Sequence, residues 1–140
     1  MFNQITVFVE NKPGRLEEVV GILADKGINL YALSLADTTD FGIIRLVASE
    51  PDRAVAVLKE KDLMVKTTEV IAVGMGNNPG ELHAILRKLK ALDVSIEYMY
   101  AFTTRHEDYA AIVVFRLADQ GAVLERVRAS GVKMVDQGVF

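Results

Sequence analysis

Leu16, Val19, Val20 and Leu23 fall at helical spacing, and Glu17, Glu18, Asp25 and Lys26 take the positions between and after them. One apolar stripe with one charged side predicts an amphipathic helix. The pattern returns 66 positions later, where Leu82, Ile85, Leu86 and Leu89 repeat the stripe and Arg87, Lys88 and Lys90 take the polar side. Each helix is preceded by a short β-branched run, ITVFV (5–9) and IAVGM (71–75), that predicts a strand. The helices are expected to stop near Gly27 and Asp93. Two long strands follow, INLYALSLAD (28–37) and VSIEYMYAFT (94–103).

The repeat continues to the end of each half. Turns at TTD (38–40) and TRHED (104–108) lead into strands FGIIRLVAS (41–49) and YAAIVVFRL (109–117). Helices PDRAVAVLKEK (51–61) and QGAVLERVRA (120–129) come next, with Pro51 suited to a first helical turn. LMVKTTE (63–69) and VKMVDQG (132–138) close the halves as strands. Each half reads βαββαβ, so the expected units are residues 1–69 and 70–140. The fold class is α+β: two ferredoxin-like units in tandem, each an antiparallel sheet with both helices on one face. VKTTEVIAV (65–73) runs from one half into the next with no Gly, Pro or Ser-rich spacer.

The connection between first strand and first helix is itself repeated, as NKPGRL (11–16) and NNPGEL (77–82). Pro13 and Pro79 fit a first helical position, where a missing N–H costs nothing. Gly14 and Gly80 carry no Cβ, which lets another group approach the backbone. The N–H groups of Gly14, Arg15 and Leu16 would then open the helix without partners, where the dipole favours negative charge. That is an anion site of carboxylate size, with the Asn11 and Asn78 amides beside it. The loop lacks the length and the lysine of a phosphate-binding loop. A plain Pro-Gly turn that starts a helix accounts for the same residues. Asp37, Thr38 and their neighbours have two readings as well: a solvated hairpin connection, or an acceptor for a ligand ammonium.

Charge and composition narrow the field. A net charge of −3 gives no footprint for nucleic acid or an anionic membrane. The βαββαβ order also builds RNA-binding modules, but the central strands here are mostly aliphatic. No apolar run approaches the ~20 residues of a membrane span, and MFNQITVFVE has no signal-peptide pattern. With no cysteine in the chain, thiolate metal sites and disulfides drop out. His83 and His106 have no second ligand at metal spacing. No nucleophile–base motif is present, so the expectation is a non-catalytic, cytoplasmic protein without metal or cofactor.

N-x-P-G-x-L after an apolar strand, twice, inside two βαββαβ units, resembles the ACT domain. ALSLADTTDFGIIRLV (32–47) and EYMYAF (97–102) are similar to stretches of tandem ACT proteins. The resemblance covers essentially the whole chain. It implies regulatory binding of a free amino acid at an interface between ACT units. The ligand would lie between the loop of one unit and the second strand of a neighbour. By position, the loop residues are Asn11, Lys12, Pro13, Gly14, Arg15 and Leu16, then Asn77, Asn78, Pro79, Gly80, Glu81 and Leu82. The facing strands would offer Ile28, Asn29 and Leu30, and Val94, Ser95 and Ile96. Asp37 and Thr38 are the further candidates. Arg15 becomes Glu81 and Asn29 becomes Ser95 in the second half, so two equal sites are not expected. A homodimer is expected, because edge strands need covering. The alternative is an adaptor subunit that binds an amino-acid biosynthetic enzyme without a ligand of its own.

Overall fold

The computed structural model describes residues 1–138. The last two residues of the expected second unit, Val139 and Phe140, lie outside the described residues. The first half runs β1 (Phe2–Glu10), α1 (Arg15–Asp25), β2 (Leu30–Asp37), β3 (Phe41–Ala48) and α2 (Pro51–Glu60). β4 (Met64–Met75) leads into α3 (Glu81–Ala91), β5 (Ile96–Thr103), β6 (Ala111–Leu117), α4 (Gln120–Ala129) and β7 (Lys133–Met134). Each half is therefore βαββαβ with antiparallel pairing, the ferredoxin-like class. Among the described residues, no helix is long and apolar enough to cross a membrane.

By its contacts the chain divides into a first unit, Asn3–Thr68, and a second formed by Met1–Phe2 with the chain from Glu69 on. The boundary falls inside β4. LMVKTTE and IAVGM, expected as two strands, are one strand of 12 residues. Nothing between Glu69 and Val70 breaks the extended backbone: there is no Gly or Pro, and Val70 and Ile71 are buried β-formers.

In the first unit β3 pairs with β1 on one side and β2 on the other. Residues 64–68 of β4 lie beside β1: the Thr6 and Thr68 hydroxyls are 3.4 Å apart, and Lys66 Nζ sits over the Phe8 ring. One sheet face carries Ile5, Val7, Val9, Ile44 and Leu46, and it buries them against Val19 and Leu23 of α1 and Ala54, Val57 and Leu58 of α2. The alternation along β1 and the helical stripe thus meet in one core. β2 is an edge strand, and Tyr31 is bulged out of its register with β3.

The second unit repeats this plan. β6 lies between β4 and the edge strand β5, and β7 adds to the other side of β4. Ile71, Val73, Val113, Phe115 and Leu117 pack against Ile85 and Leu89 of α3 and Val127 of α4. The bulge recurs at Glu97. The closing strand is shorter than expected, two residues rather than VKMVDQG. After Met134 the Val135 N–H reaches β4 at Ala72 O, 2.9 Å.

Candidate functional site

Both Pro-Gly loops take one conformation. Gly14 caps α1 with φ 85° and ψ −5°, and Gly80 caps α3 with φ 92° and ψ −13°. The Arg15 N–H reaches back to Lys12 O at 3.4 Å, and the Glu81 N–H to Asn78 O at 3.2 Å. This is the form of a type II turn, with Pro at the second position and a positive-φ Gly at the third. The helices accordingly begin two residues beyond the prolines, at Arg15 and Glu81, and Pro13 and Pro79 are turn residues rather than first helical residues. The glycines are required by φ rather than by crowding, since a Cβ at either would meet nothing within 4 Å.

The turn also changes which N–H groups are open. Arg15 N–H, expected to be vacant, closes the turn. Glu18 N–H bonds Gly14 O at 3.0 Å, and Ala84 N–H bonds Gly80 O at 2.9 Å. As glycines, neither cap residue has a side chain with which to cap its helix. Among the described residues, the N–H groups of Leu16 and Glu17, and of Leu82 and His83, donate to no protein acceptor. These exposed helix openings keep the positive end of the dipole facing solvent.

Around the first loop the side chains form a salt-linked rim. Lys12 Nζ lies 2.7 Å from Glu10 Oε2, and Arg15 is shared between Glu10 (3.8 Å) and Glu18 (2.9 Å). The Lys12 hydrogen bond, then the charges of Lys12 and Arg15, hold the Glu10 carboxyl below its ordinary range. A cleft of about 280 Å³ opens here between Glu10, Arg15 and Glu18 on one side and Lys61, Asp62 and Met64 on the other.

The end of β2 joins this loop. Asn11 Nδ2 donates to Asp37 Oδ1 at 2.8 Å, and Asn11 N–H points to Asp40 O at 3.5 Å. Thr38 is occupied within the hairpin: its hydroxyl donates to Phe41 O (2.9 Å) and accepts from Phe41 N–H (3.1 Å). Asp37 stays exposed, with a carboxylate oxygen beside the loop.

Residues 28–30 lie elsewhere within the unit. They follow the C-terminus of α1, whereas the loop precedes its N-terminus, roughly 16 Å away for 11 residues. Ile28 is only 4% exposed and belongs to the core, so its side chain offers no surface. Leu30 packs on the same core. Asn29 is exposed, and its backbone is fixed by Ser49 through Asn29 N–H to Ser49 Oγ (3.1 Å) and Ser49 N–H to Asn29 O (2.9 Å).

The second loop differs in charge. Positions 10, 12 and 15 correspond to Gly76, Asn78 and Glu81. The Glu81 carboxylate folds in over Gly76, where a Cβ would stand 2.8 Å from Oε1 and 3.3 Å from Asn78 Nδ2. The carboxylate that Lys12 and Arg15 neutralise in the first loop thus has a counterpart without a lysine or arginine at the equivalent positions. Val94 and Ile96 pack on the second core, Ser95 O accepts from Ala118 N–H at 3.0 Å, and a groove of about 400 Å³ runs past them.

One cluster has no forerunner in the sequence reading. Tyr109, 8% exposed, lies over Gly74 of β4, where a Cβ would come within 2.7 Å of its ring. His106 stacks on Tyr109 at 4.2 Å, Lys133 Nζ is 5.3 Å from the Tyr109 ring centre, and Asp108 N–H donates to His106 Nδ1. Burial, then the Asp108 charge, pushes the Tyr109 phenol up. The available signal was Gly74, a glycine inside a strand, which marks close approach of another group.

Comparison with known proteins agrees with this architecture. The family model for the ACT domain pair matches residues 1–137. Protein BT0572 from Bacteroides thetaiotaomicron has a crystal structure 39% identical to this chain, with a TM-score of 0.84 over 96% of this chain and 91% of that one. The ligand-free regulatory subunit of aspartate kinase from Thermus thermophilus shares the fold at 17% identity, TM-score 0.60, over 92% and 91% of the two chains. A probable acetolactate synthase small subunit from Archaeoglobus fulgidus is 33% identical over 73 residues, which are 50% of this chain and 46% of that protein. The chain thus matches about half the length of that curated relative. With its duplicated βαββαβ units and paired Pro-Gly loops, the chain belongs to the ACT domain pair family.

Proposed function

We propose that this protein is a non-catalytic regulatory protein that binds a free amino acid. The carboxylate of the ligand is held by the Leu16 and Glu17 N–H groups at the opening of α1. Its ammonium is taken by acceptors beside them, with Asp37 the nearest carboxylate on β2. A neighbouring unit from a second copy supplies the facing strand through Asn29 and Leu30, because residues 28–30 of the same unit stand at the wrong end of α1. The observation that carries this reading is the pair of N–H groups left open behind a turn that the chain builds twice. The first loop is the stronger of the two, since Lys12 and Arg15 offset its carboxylates while Glu81 opposes an incoming anion.

Calorimetric titration against the twenty amino acids tests this. Saturation at 100 times the dissociation constant stabilises the fold by about 2.7 kcal/mol. Heat from at least one of them is expected; silence from all twenty at millimolar concentration would overturn the reading.

The similarity to an acetolactate synthase small subunit favours a second reading, in which the chain is a subunit of an amino-acid biosynthetic enzyme. Co-purification with one such enzyme, unchanged by any amino acid, would favour the adaptor role over the sensor role.

A further inference from the structure

α3 carries a groove on its solvent side. His83, Leu86, Arg87, Lys90 and Ala91 line it, and its volume is about 540 Å³. The first four stand at i, i+3, i+4 and i+7, so each neighbours the next on the helix surface. Four residues so placed make the hole that receives one side chain of a facing helix. Leu86 is half-buried, and His83, Arg87, Lys90 and Ala91 are exposed. A second groove, of about 400 Å³, shares Leu86 and Lys90 and runs on past Asp93 to Ile96.

The fold does not ask for these cations. α1, the duplicate 66 positions earlier, has Gly21 and Ala24 where α3 has Arg87 and Lys90. Among the described residues, neither Arg87 nor Lys90 has an ion-pair partner. Two free cations one turn apart therefore flank a hole whose apolar surface comes from Leu86 and Ala91.

We propose that α3 docks an acidic amphipathic helix of another protein. One apolar side chain of that helix enters the hole. Two of its carboxylates, three or four residues apart, meet Arg87 and Lys90. The apolar contact supplies most of the affinity, and opposite charge sets partner choice and register. A second copy of this chain is a poor match. Within each described helix its acids stand one, seven or eight residues apart, as Glu17, Glu18 and Asp25 do in α1, and never three or four. The inference goes beyond amino-acid binding and is independent of it.

Fluorescence anisotropy on the full chain tests it, with labelled peptides of about 20 residues. One peptide repeats leucine at every third or fourth position with glutamates paired four apart, and a control scrambles the same composition. The amphipathic peptide should bind, and the scrambled one at least about tenfold more weakly. Arg87→Glu/Lys90→Glu should weaken the amphipathic peptide more than about tenfold and should instead bind a version with lysine in place of each glutamate. Arg87→Gln/Lys90→Gln should weaken it by less than the reversal does. Equal binding of ordered and scrambled peptides would reduce the strip to general charge attraction and overturn the proposal. So would the absence of binding, or binding that neither variant alters. Preference for phosphatidylserine vesicles over the peptide would assign the face to a membrane, and self-association lost in Arg87→Glu/Lys90→Glu would assign it to a second copy. Either result overturns the proposal.

Discussion

Asn11 and Asp37 are 26 residues apart in sequence and 2.8 Å apart in space, amide to carboxylate. The bond ties the start of the Pro-Gly loop to the end of the edge strand β2. It is exposed, so its own contribution to stability is small, about 1 kcal/mol or less. Asp37→Ala should therefore leave the fold intact and speed hydrogen exchange at Asn11 and Phe41. If Asp37 receives the ligand ammonium, the same variant should weaken amino-acid binding at least about tenfold, read by titration. Asp37→Ala with unchanged affinity would remove it from the site.

Gly14 and Gly80 occupy the left-handed region, where a Cβ costs roughly 1–2 kcal/mol. Gly14→Ala and Gly80→Ala should each lower stability by about that amount in urea denaturation. Gly21 lies inside α1, where a Cβ has room, at 3.7 Å from Glu17 Oε1. Gly21→Ala should instead stabilise by about 0.5–1 kcal/mol. Equal effects at all three positions would contradict the turn geometry.

A Cβ at Gly74 would fall within 2.8 Å of two Tyr109 ring atoms. Gly74→Ala should cost about 1–3 kcal/mol through overpacking. The cost should shrink when Tyr109 is also replaced by Leu, which double-mutant denaturation would reveal.

Two groups give the protein a pH dependence of known sign. The Glu10 carboxyl titrates below its unfolded value. Its contribution is therefore present above the unfolded pKa and is lost as pH falls through the folded one. Replacing Lys12 with Met should move the Glu10 titration upward in carbon-detected NMR. Tyr109 has the opposite shift among acids, upward. Its contribution is full below the unfolded value of about 10 and is lost as pH rises through the folded one. Tyr109→Phe should flatten that alkaline loss.

The architecture was readable because two periodicities repeated at a fixed offset. The stripe of Leu16, Val19 and Leu23 and the alternation of Ile5, Val7 and Val9 each name one buried face, and the two faces had to meet. The loop was harder. Pro-Gly before a helix satisfies two local rules, Pro at the first helical position or Pro at the second place of a type II turn. The residues are the same, and only the positive φ of Gly14 decides between them. Of the three N–H groups expected to be open, that choice closes Arg15 onto Lys12 O and leaves Gly14 and Leu16 without a protein acceptor among the described residues, and Glu17 joins them. Ile28 was named by its position in the resemblance to ACT domains, but the turn after α1 folds it back: its N–H bonds Leu23 O at 3.0 Å and its side chain enters the core. The Tyr109–Gly74 contact depends on the register of β4 with β6, which no short stretch of sequence carries.

The account turns on the Leu16 and Glu17 amides, and proton–nitrogen correlation NMR observes them directly. Titrating the twenty amino acids in turn, at least one should shift both amides saturably, together with Asn29 across the facing strand. If none moves them at millimolar concentration, or if a bound amino acid shifts only residues remote from the Pro-Gly loop, the proposed site is wrong.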